Sequence, residues 1–128
     1  MVDNLFCHTD PAEPWLFELV DSLGFMVMEP TGDLRYRVVG KIPNWFTNIF
    51  GSESLSHDEL SLEGLSPFAE HFGPVAEQFW SETPASSLKS GPWTETDGWG
   101  QEFSLELTAL TVAGKPMVLL HLLGRDHA

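Results

Sequence analysis

The stretch from Gln101 to Gly124, QEFSLELTALTVAGKPMVLLHLLG, constrains the fold more than any other part of the sequence. Its first half alternates apolar and polar residues, whereas Met117 to Leu123 is apolar at nearly every position. The first pattern predicts a strand with one buried face, and the second predicts a strand covered on both faces. A two-residue loop at Ala113-Gly114 or at Gly114-Lys115 would join them as an antiparallel hairpin.

The hairpin predicts which side chains share a face of the sheet. One face is a uniform apolar wall, made by Phe103, Leu105, Leu107, Ala109, Val118, Leu120 and Leu122. The other face is mixed and carries Leu110, Val112, Met117, Leu119, His121 and Leu123. Both faces are too apolar to be left in water, so we expect other elements to cover each side. On the mixed face, His121 is expected to pair with Glu106 or Thr108 across the hairpin.

The N-terminal half predicts one helix and a second hairpin. Apolar residues at helical spacing predict an amphipathic helix that ends at Gly24. These residues are Trp15, Leu16, Leu19, Val20 and Leu23. The turn residues Pro30 to Asp33 divide residues 25–39 into two strands, the second with basic residues on one side.

The middle of the chain predicts short helices, and the rest predicts strands. Helical segments are expected at 43–50, 57–60 and 62–65, and from Ser66 to about Thr83 with a break at Gly73-Pro74. Residues 84–90 are expected to form a loop, and 91–96 a strand with Trp93 pointing inward. The expected fold is α+β, with a five-stranded antiparallel sheet, short helices on one face and an N-terminal amphipathic helix.

Composition excludes several classes of partner. The 128 residues suit one domain, and the net charge of −13, from 6 basic and 19 acidic residues, argues against nucleic acid or an anionic membrane as the main partner. The single cysteine, Cys7, cannot form an internal disulfide, which fits a reducing compartment. Because no apolar run approaches the roughly 20 residues of a membrane span and no signal pattern is present, we expect a cytoplasmic protein.

This element order and length resemble those of PAS domains, over residues 14–124. FMVMEPTGDLRYRVVG resembles the first two PAS strands, and FSLELTALTVAGKPMVLLHLLG followed by Gly-Arg-Asp resembles the last two. Pro74 to Trp80 lies where the long connecting helix of the family belongs. Residues 1–13 would then be a flexible N-terminal arm and 125–128 the start of a junction. Asp126 could match the junction aspartate of the family, although His127 stands where an aliphatic residue is usual.

The resemblance implies a non-enzymatic sensory module of a bacterial signalling protein of the histidine kinase or cyclase type. Such a module pairs as a homodimer and passes its signal through the last strand to an output domain in cis or in trans; the sequence contains no such output segment. The dimer contact would use the outer face of the sheet and the first helix, through Trp15, Leu16, Leu19, Val20 and Leu23. A small apolar ligand, if one binds, would lie in a pocket that includes Phe68, His71, Phe72 and Trp93.

Candidate cofactors are few. Haem would need an axial histidine, and His71, which is flanked by Phe68 and Phe72, is the candidate. The same pattern fits a surface histidine that precedes the Gly-Pro break and binds nothing. Flavin-binding light sensors carry a reactive cysteine in Asn-Cys-Arg-Phe-Leu-Gln, which is absent, and Cys7 lies in the N-terminal arm, so no covalent flavin is expected. The sequence contains neither a Cys-x-x-Cys nor a His-x-x-x-His spacing, so it predicts no metal site. His57 lies in an acidic region that is expected to be solvated. The identity of any ligand stays open.

A second interpretation is a small α+β enzyme or carrier of the ketosteroid-isomerase-like type. It requires a buried Asp or Tyr acid–base pair inside a pocket. The single tyrosine, Tyr36, lies on an early strand. A buried carboxylate in a pocket would favour this alternative.

Overall fold

The computed structural model describes residues 14–32, 34–51, 55, 59–82 and 87–125. The predicted N-terminal arm with Cys7, the solvated His57 and the junction at Asp126 lie outside these residues. The elements are α1 (Pro14–Ser22), β1 (Phe25–Gly32), β2 (Arg35–Val39), α2 (Asn44–Phe50), β3 (Glu59–Ser61), a 3-10 turn (Leu62–Gly64), α3 (Pro67–Glu82), β4 (Leu88–Thr96), β5 (Glu102–Val112) and β6 (Lys115–Arg125). The fold is therefore α+β.

The predicted C-terminal hairpin and its apolar face are confirmed, and the structure decides between the two loops that the sequence allowed. Val112 lies opposite Lys115, so the loop is Ala113-Gly114, and both loop residues have positive φ angles, 52° and 81°. This is the backbone that a type I′ turn requires, and it follows the right-handed twist of the strands. Leu105 lies opposite Leu122, Leu107 opposite Leu120 and Ala109 opposite Val118, so the apolar wall occupies one face as predicted.

All the strands belong to one antiparallel sheet in the order β3-β2-β1-β6-β5-β4, so the predicted number of five strands is wrong. The additional strand is β3, where residues 57–60 were expected to be helical. It pairs with the outer edge of β2, where Tyr36 lies opposite Leu60 and Arg35 forms an ion pair with Glu59. A three-residue strand is too short to show a period of two, so burial of Leu60 decides its conformation.

Helix α3 is continuous, which corrects the predicted break at Gly73-Pro74. Proline removes one backbone hydrogen bond, but Pro74 lies on the exposed side of the helix. The opposite side, made by Ala69, Phe72, Gly73 and Ala76, is buried. Because burial of that whole side stabilises the helix more than one lost hydrogen bond destabilises it, the helix continues to Glu82. The predicted loop at 84–90 also ends early, because β4 begins at Leu88.

The helices lie on both faces of the sheet. The inner face carries the core, in which Phe46 of α2 and Phe72 of α3 pack against the apolar wall, as the prediction of short helices on one face requires. Helix α1 lies against the outer face, because Phe17 lines one cavity together with Arg37 and Met117. None of the described helices combines the length and the apolar character that crossing a membrane requires.

Candidate functional site

A groove between α3 and the start of β4 brings together the residues that were predicted to form a pocket. Phe68, His71, Phe72 and Val75 recur every three or four residues along α3, so they share one side of the helix. These side chains and the segment 88–90 line a cavity of about 260 Å³. Trp93 stacks on Phe68, with ring centroids 4.8 Å apart and an interplanar angle of 22°. Three of the four predicted residues, Phe68, His71 and Phe72, therefore line the groove, and Trp93 lies beside it against Phe68.

The floor of the groove is held by hydrogen bonds within the sheet. Ser90 Oγ donates to the Gly91 carbonyl oxygen at 2.7 Å and accepts from the Leu107 amide at 3.0 Å. The register of β4 against β5 shifts between Lys89 and Pro92, so the strand bulges where it borders the groove. A bulge changes the direction of the strand and of its side chains. Of the lining residues, Val75 and the segment 88–90 do not follow from the sequence pattern, which predicts a loop at 84–90.

The wall formed by α3 is hydrogen-bonded to the sheet in its C-terminal half and capped at its N-terminus. Trp80 Nε1 donates to the Leu110 carbonyl oxygen at 3.0 Å, which attaches the C-terminal half of the helix to β5. At the start of the helix, Ser66 Oγ accepts from the Ala69 amide at 3.1 Å, which caps the first turn of α3. One wall of the groove is therefore attached to the sheet through Trp80 and satisfied at its own N-terminus through Ser66.

The groove does not fit haem. Its volume of about 260 Å³ lies below the ~300–1,000 Å³ of pockets that hold drug-sized ligands, and a porphyrin is larger than most of those. His71 is exposed, so it does not present its ring from within an enclosed pocket. Across the described residues, no cluster of His, Cys, Asp and Glu side chains could hold a metal ion.

Helix α1 presents the residues predicted for a dimer contact mostly to solvent. Trp15 is 61% exposed, Leu16 39%, Leu19 47% and Leu23 58%, while Val20 is half-buried. The helix contacts its own sheet through Phe17 and is held by ion pairs of Lys41 with Glu18 and Asp21. The charges of Glu18 and then Asp21 raise the pKa of Lys41. The apolar side of α1 is thus left without a partner among the described residues.

The apolar side of α1 continues onto the end of β6. The Leu122 amide donates to the Gly24 carbonyl oxygen at 2.7 Å, so the end of α1 and the end of β6 are directly joined. Leu23 and Leu123 flank this hydrogen bond, and both are exposed, Leu123 at 44%. We name this surface the α1 face; it consists of Trp15, Leu16, Leu19, Leu23 and Leu123.

Two buried polar atoms have no hydrogen-bond partner among the described residues: Tyr36 Oη and Trp45 Nε1. Burial, and secondly the charge of Glu77, raise the pKa of the Tyr36 phenol. The isomerase-like alternative requires a buried Asp or Tyr acid–base pair inside a pocket. Tyr36 is buried, but none of the Asp and Glu side chains that the structure describes is buried. The described residues therefore supply a buried tyrosine without the buried carboxylate that would favour this alternative.

Two other predicted or conspicuous residues lie away from the groove. His121 lies on the outer face opposite Glu106, and its ring stacks on Phe25 with centroids 4.0 Å apart. Trp99 is 90% exposed in the turn between β4 and β5, where Asp97 Oδ1 accepts from the amides of Trp99 and Gln101. Neither residue contributes to the groove.

No protein-family model matches this chain, and neither a curated protein nor a solved structure shows a significant match to it.

Proposed function

We propose that this chain is a PAS-like signal-sensing and protein-interaction module that pairs as a homodimer through the α1 face. The order of elements that suggested the family is present: a helix, two strands, a helical segment and three strands, with the short strand β3 added. β1 lies beside β6, the last strand, and β2 lies beside β1. Helices α2 and α3 cover the inner face of the sheet. A sensor of this kind, attached to a bacterial histidine kinase or cyclase or acting on one in trans, needs no catalytic residues of its own.

The observation that carries this proposal is the α1 face. Three of its side chains, those of Trp15, Leu16 and Leu19, come from one short helix, and all five are large and apolar. A surface of this kind commonly marks an interaction site. A second copy of the chain is the partner that best fits, because the nearby acidic residues Glu18 and Asp21 form ion pairs with Lys41 of the same chain. Two copies can therefore meet through this face without placing unpaired carboxylates against each other, despite a net charge of −13.

The groove supports the sensory part of the proposal. A chain of direct neighbours leads from it to α1: Phe68 stacks on Trp93, and Trp93 lies opposite Leu105. Leu105 in turn lies opposite Leu122, whose amide bonds to the carbonyl that follows α1. A small apolar ligand in the groove would thus contact residues that are connected to the dimer face. The signal would leave along β6 through Leu123-Gly124-Arg125.

Sedimentation velocity tests the dimer directly. We expect the protein to sediment as a dimer at high micromolar concentration and Leu19→Asp to sediment as a monomer, because a carboxylate at the centre of an apolar contact would be buried without a partner. Val112→Asp is the matched control, since Val112 is 49% exposed at the far end of the C-terminal hairpin, outside the α1 face. It should leave the dimer intact.

The dimer proposal is overturned if the unchanged protein is a monomer at high micromolar concentration. It is also overturned if Leu19→Asp sediments like the unchanged protein. Circular dichroism of each variant establishes that the fold is retained, because Leu19 is 47% exposed and contributes little to the core.

A further inference from the structure

The lining of the α3–β4 groove carries a positive charge, that of Lys89, although the chain as a whole is strongly acidic. The sequence has 19 acidic and 6 basic residues, yet the described residues that line the groove include Lys89 and His71 and neither Asp nor Glu. The remainder of the lining is apolar or hydroxylic. A site with one basic edge and an aromatic interior is complementary to a molecule with one anionic end and an apolar body.

Lys89 differs from the basic residues of the first half of the chain. Arg35, Arg37 and Lys41 each form an ion pair with a carboxylate of their own chain. Within the described ranges, Lys89 forms no such pair. Its charge is therefore available to a ligand. It also lies where the register of β4 shifts, so the strand departs from regular pairing at the edge of the groove.

We infer that the α3–β4 groove binds a small amphipathic carboxylate, with its apolar part against Phe68 and Phe72 and its carboxylate toward Lys89 and His71. This inference rests on the proposed sensory function and names the class of ligand for it. A volume of about 260 Å³ suits a ligand of roughly ten non-hydrogen atoms, smaller than a typical drug. A medium-chain fatty acid or an arylalkanoic acid has this size and this distribution of polarity.

Three probes with the same alkyl chain separate the contribution of charge from that of apolar contact. Calorimetric titration with octanoate, octanol and octylammonium should give the tightest binding for octanoate, with a Kd of about 0.1–1 mM for a ligand of this size. Octanol should bind roughly three- to tenfold more weakly, because it lacks the charge-assisted contact with an ammonium group that is partly screened by water. Octylammonium should bind most weakly.

Variants test whether Lys89 causes the preference for octanoate over octanol. Lys89→Gln should lower the affinity for octanoate to that for octanol and leave octanol unchanged. Added salt should weaken octanoate binding to the unchanged protein but not to this variant, because salt screens the charge contact. Lys115→Gln is the matched control, since Lys115 lines a different cavity and should leave both affinities unchanged. Val75→Trp, which fills the groove from an exposed position, should abolish binding of both probes.

The outcomes distinguish this inference from the proposed dimer. Equal affinities for octanoate and octanol, or tightest binding of octylammonium, would overturn the carboxylate and leave an apolar groove. Binding that Val75→Trp does not affect would overturn the location. An absence of binding by all three probes at millimolar concentration would overturn the ligand class and the groove together, while the sedimentation result would stand unchanged.

Discussion

Gly40 is the position at which one added methyl group should separate α1 from the sheet. It follows β2 with a φ angle of +88°, and a Cβ atom built on it would lie 2.4 Å from Phe17 Cδ1 and 2.8 Å from Cε1. Both distances are shorter than any contact that a real Cβ atom makes. The ring of Phe17 therefore occupies space that exists only because residue 40 is glycine.

Gly40→Ala adds two separate free-energy costs. A left-handed backbone costs an alanine about 1–2 kcal/mol relative to glycine. The clash with the aromatic ring adds about 1–3 kcal/mol, the usual cost of overpacking a well-packed contact. The sum of about 2–5 kcal/mol is a large fraction of the ~5–15 kcal/mol by which a domain is stable. We expect α1 to be displaced before the sheet is disrupted, because the contact involves the helix alone.

Urea denaturation followed by tryptophan fluorescence measures the total cost, and a second glycine separates its parts. Gly114 has a similar φ of +81°, but no atom lies within 4 Å of a Cβ built on it. Gly114→Ala should therefore lower the free energy of unfolding only by the cost of a left-handed alanine backbone. The difference in unfolding free energy between the two variants then gives the cost of the clash with Phe17. In a Phe17→Ala background the clash is absent, so Gly40→Ala should then cost no more than Gly114→Ala.

Equal destabilisation by Gly40→Ala and Gly114→Ala, together with no effect of Phe17→Ala on the cost of Gly40→Ala, would contradict this prediction. That result would mean that the ring of Phe17 does not rest against Gly40 in solution. The contact that orients the α1 face outward would then be wrong, and the dimer surface would have to be sought elsewhere.

Two further predictions concern the core and a helix cap. Burial and the charge of Glu77 raise the pKa of Tyr36 above its ordinary 10.0. Above about pH 10 the folded protein therefore keeps a phenol proton that the unfolded chain releases. The free energy of unfolding should be unaffected by this group below about pH 10 and should fall above it by up to ~1.4 kcal/mol per pH unit. In urea denaturation, Tyr36→Phe should not show this fall in the free energy of unfolding above pH 10. Because Tyr36 is the single tyrosine, a phenolate absorbance that develops near pH 10 in the folded protein would contradict the prediction. Ser66→Ala should cost about 1 kcal/mol of unfolding free energy, because Ser66 Oγ accepts from the Ala69 amide at the start of α3. Ser81→Ala, at the exposed end of the same helix, should cost nothing measurable, and equal losses for the two serines would refute the cap.

The sheet could be predicted where a side-chain period had room to repeat. β5 and β6 have eleven residues each, so alternation and continuous apolarity are both visible, and the hairpin that they form is confirmed. The sequence left two loops open for its turn, and the structure has the one at Ala113-Gly114. β3 has three residues, and no period can be read from so few. Its position depends on Tyr36 and Leu60 meeting across 24 positions of sequence, which only the folded chain brings about.

The helices show that a local rule can be outweighed by burial. Gly73-Pro74 predicted a break, because proline lacks an amide hydrogen and glycine favours other backbone conformations. In the fold, Gly73 lies where the helix approaches Leu34 closely: an added Cβ would lie 3.1 Å from Leu34 Cδ2, so that side chain would have to move by a few tenths of an ångström. The close approach of α3 to the turn between β1 and β2 is a tertiary contact, so it could not be predicted from the sequence of α3 alone.

The groove and the α1 face differ in how far the sequence could define them. The groove residues of α3 share a helical stripe, and Trp93 follows from the alternation of β4, so their convergence could be anticipated. Helix α1 is different, because most of its residues are apolar and more than one side of it could have packed against the sheet. The side that packs is chosen by Gly40, which leaves room for the ring of Phe17, and by Lys41, which pairs with Glu18 and Asp21. The side that remains exposed is therefore determined by two adjacent residues at the end of β2, outside the helix that carries it.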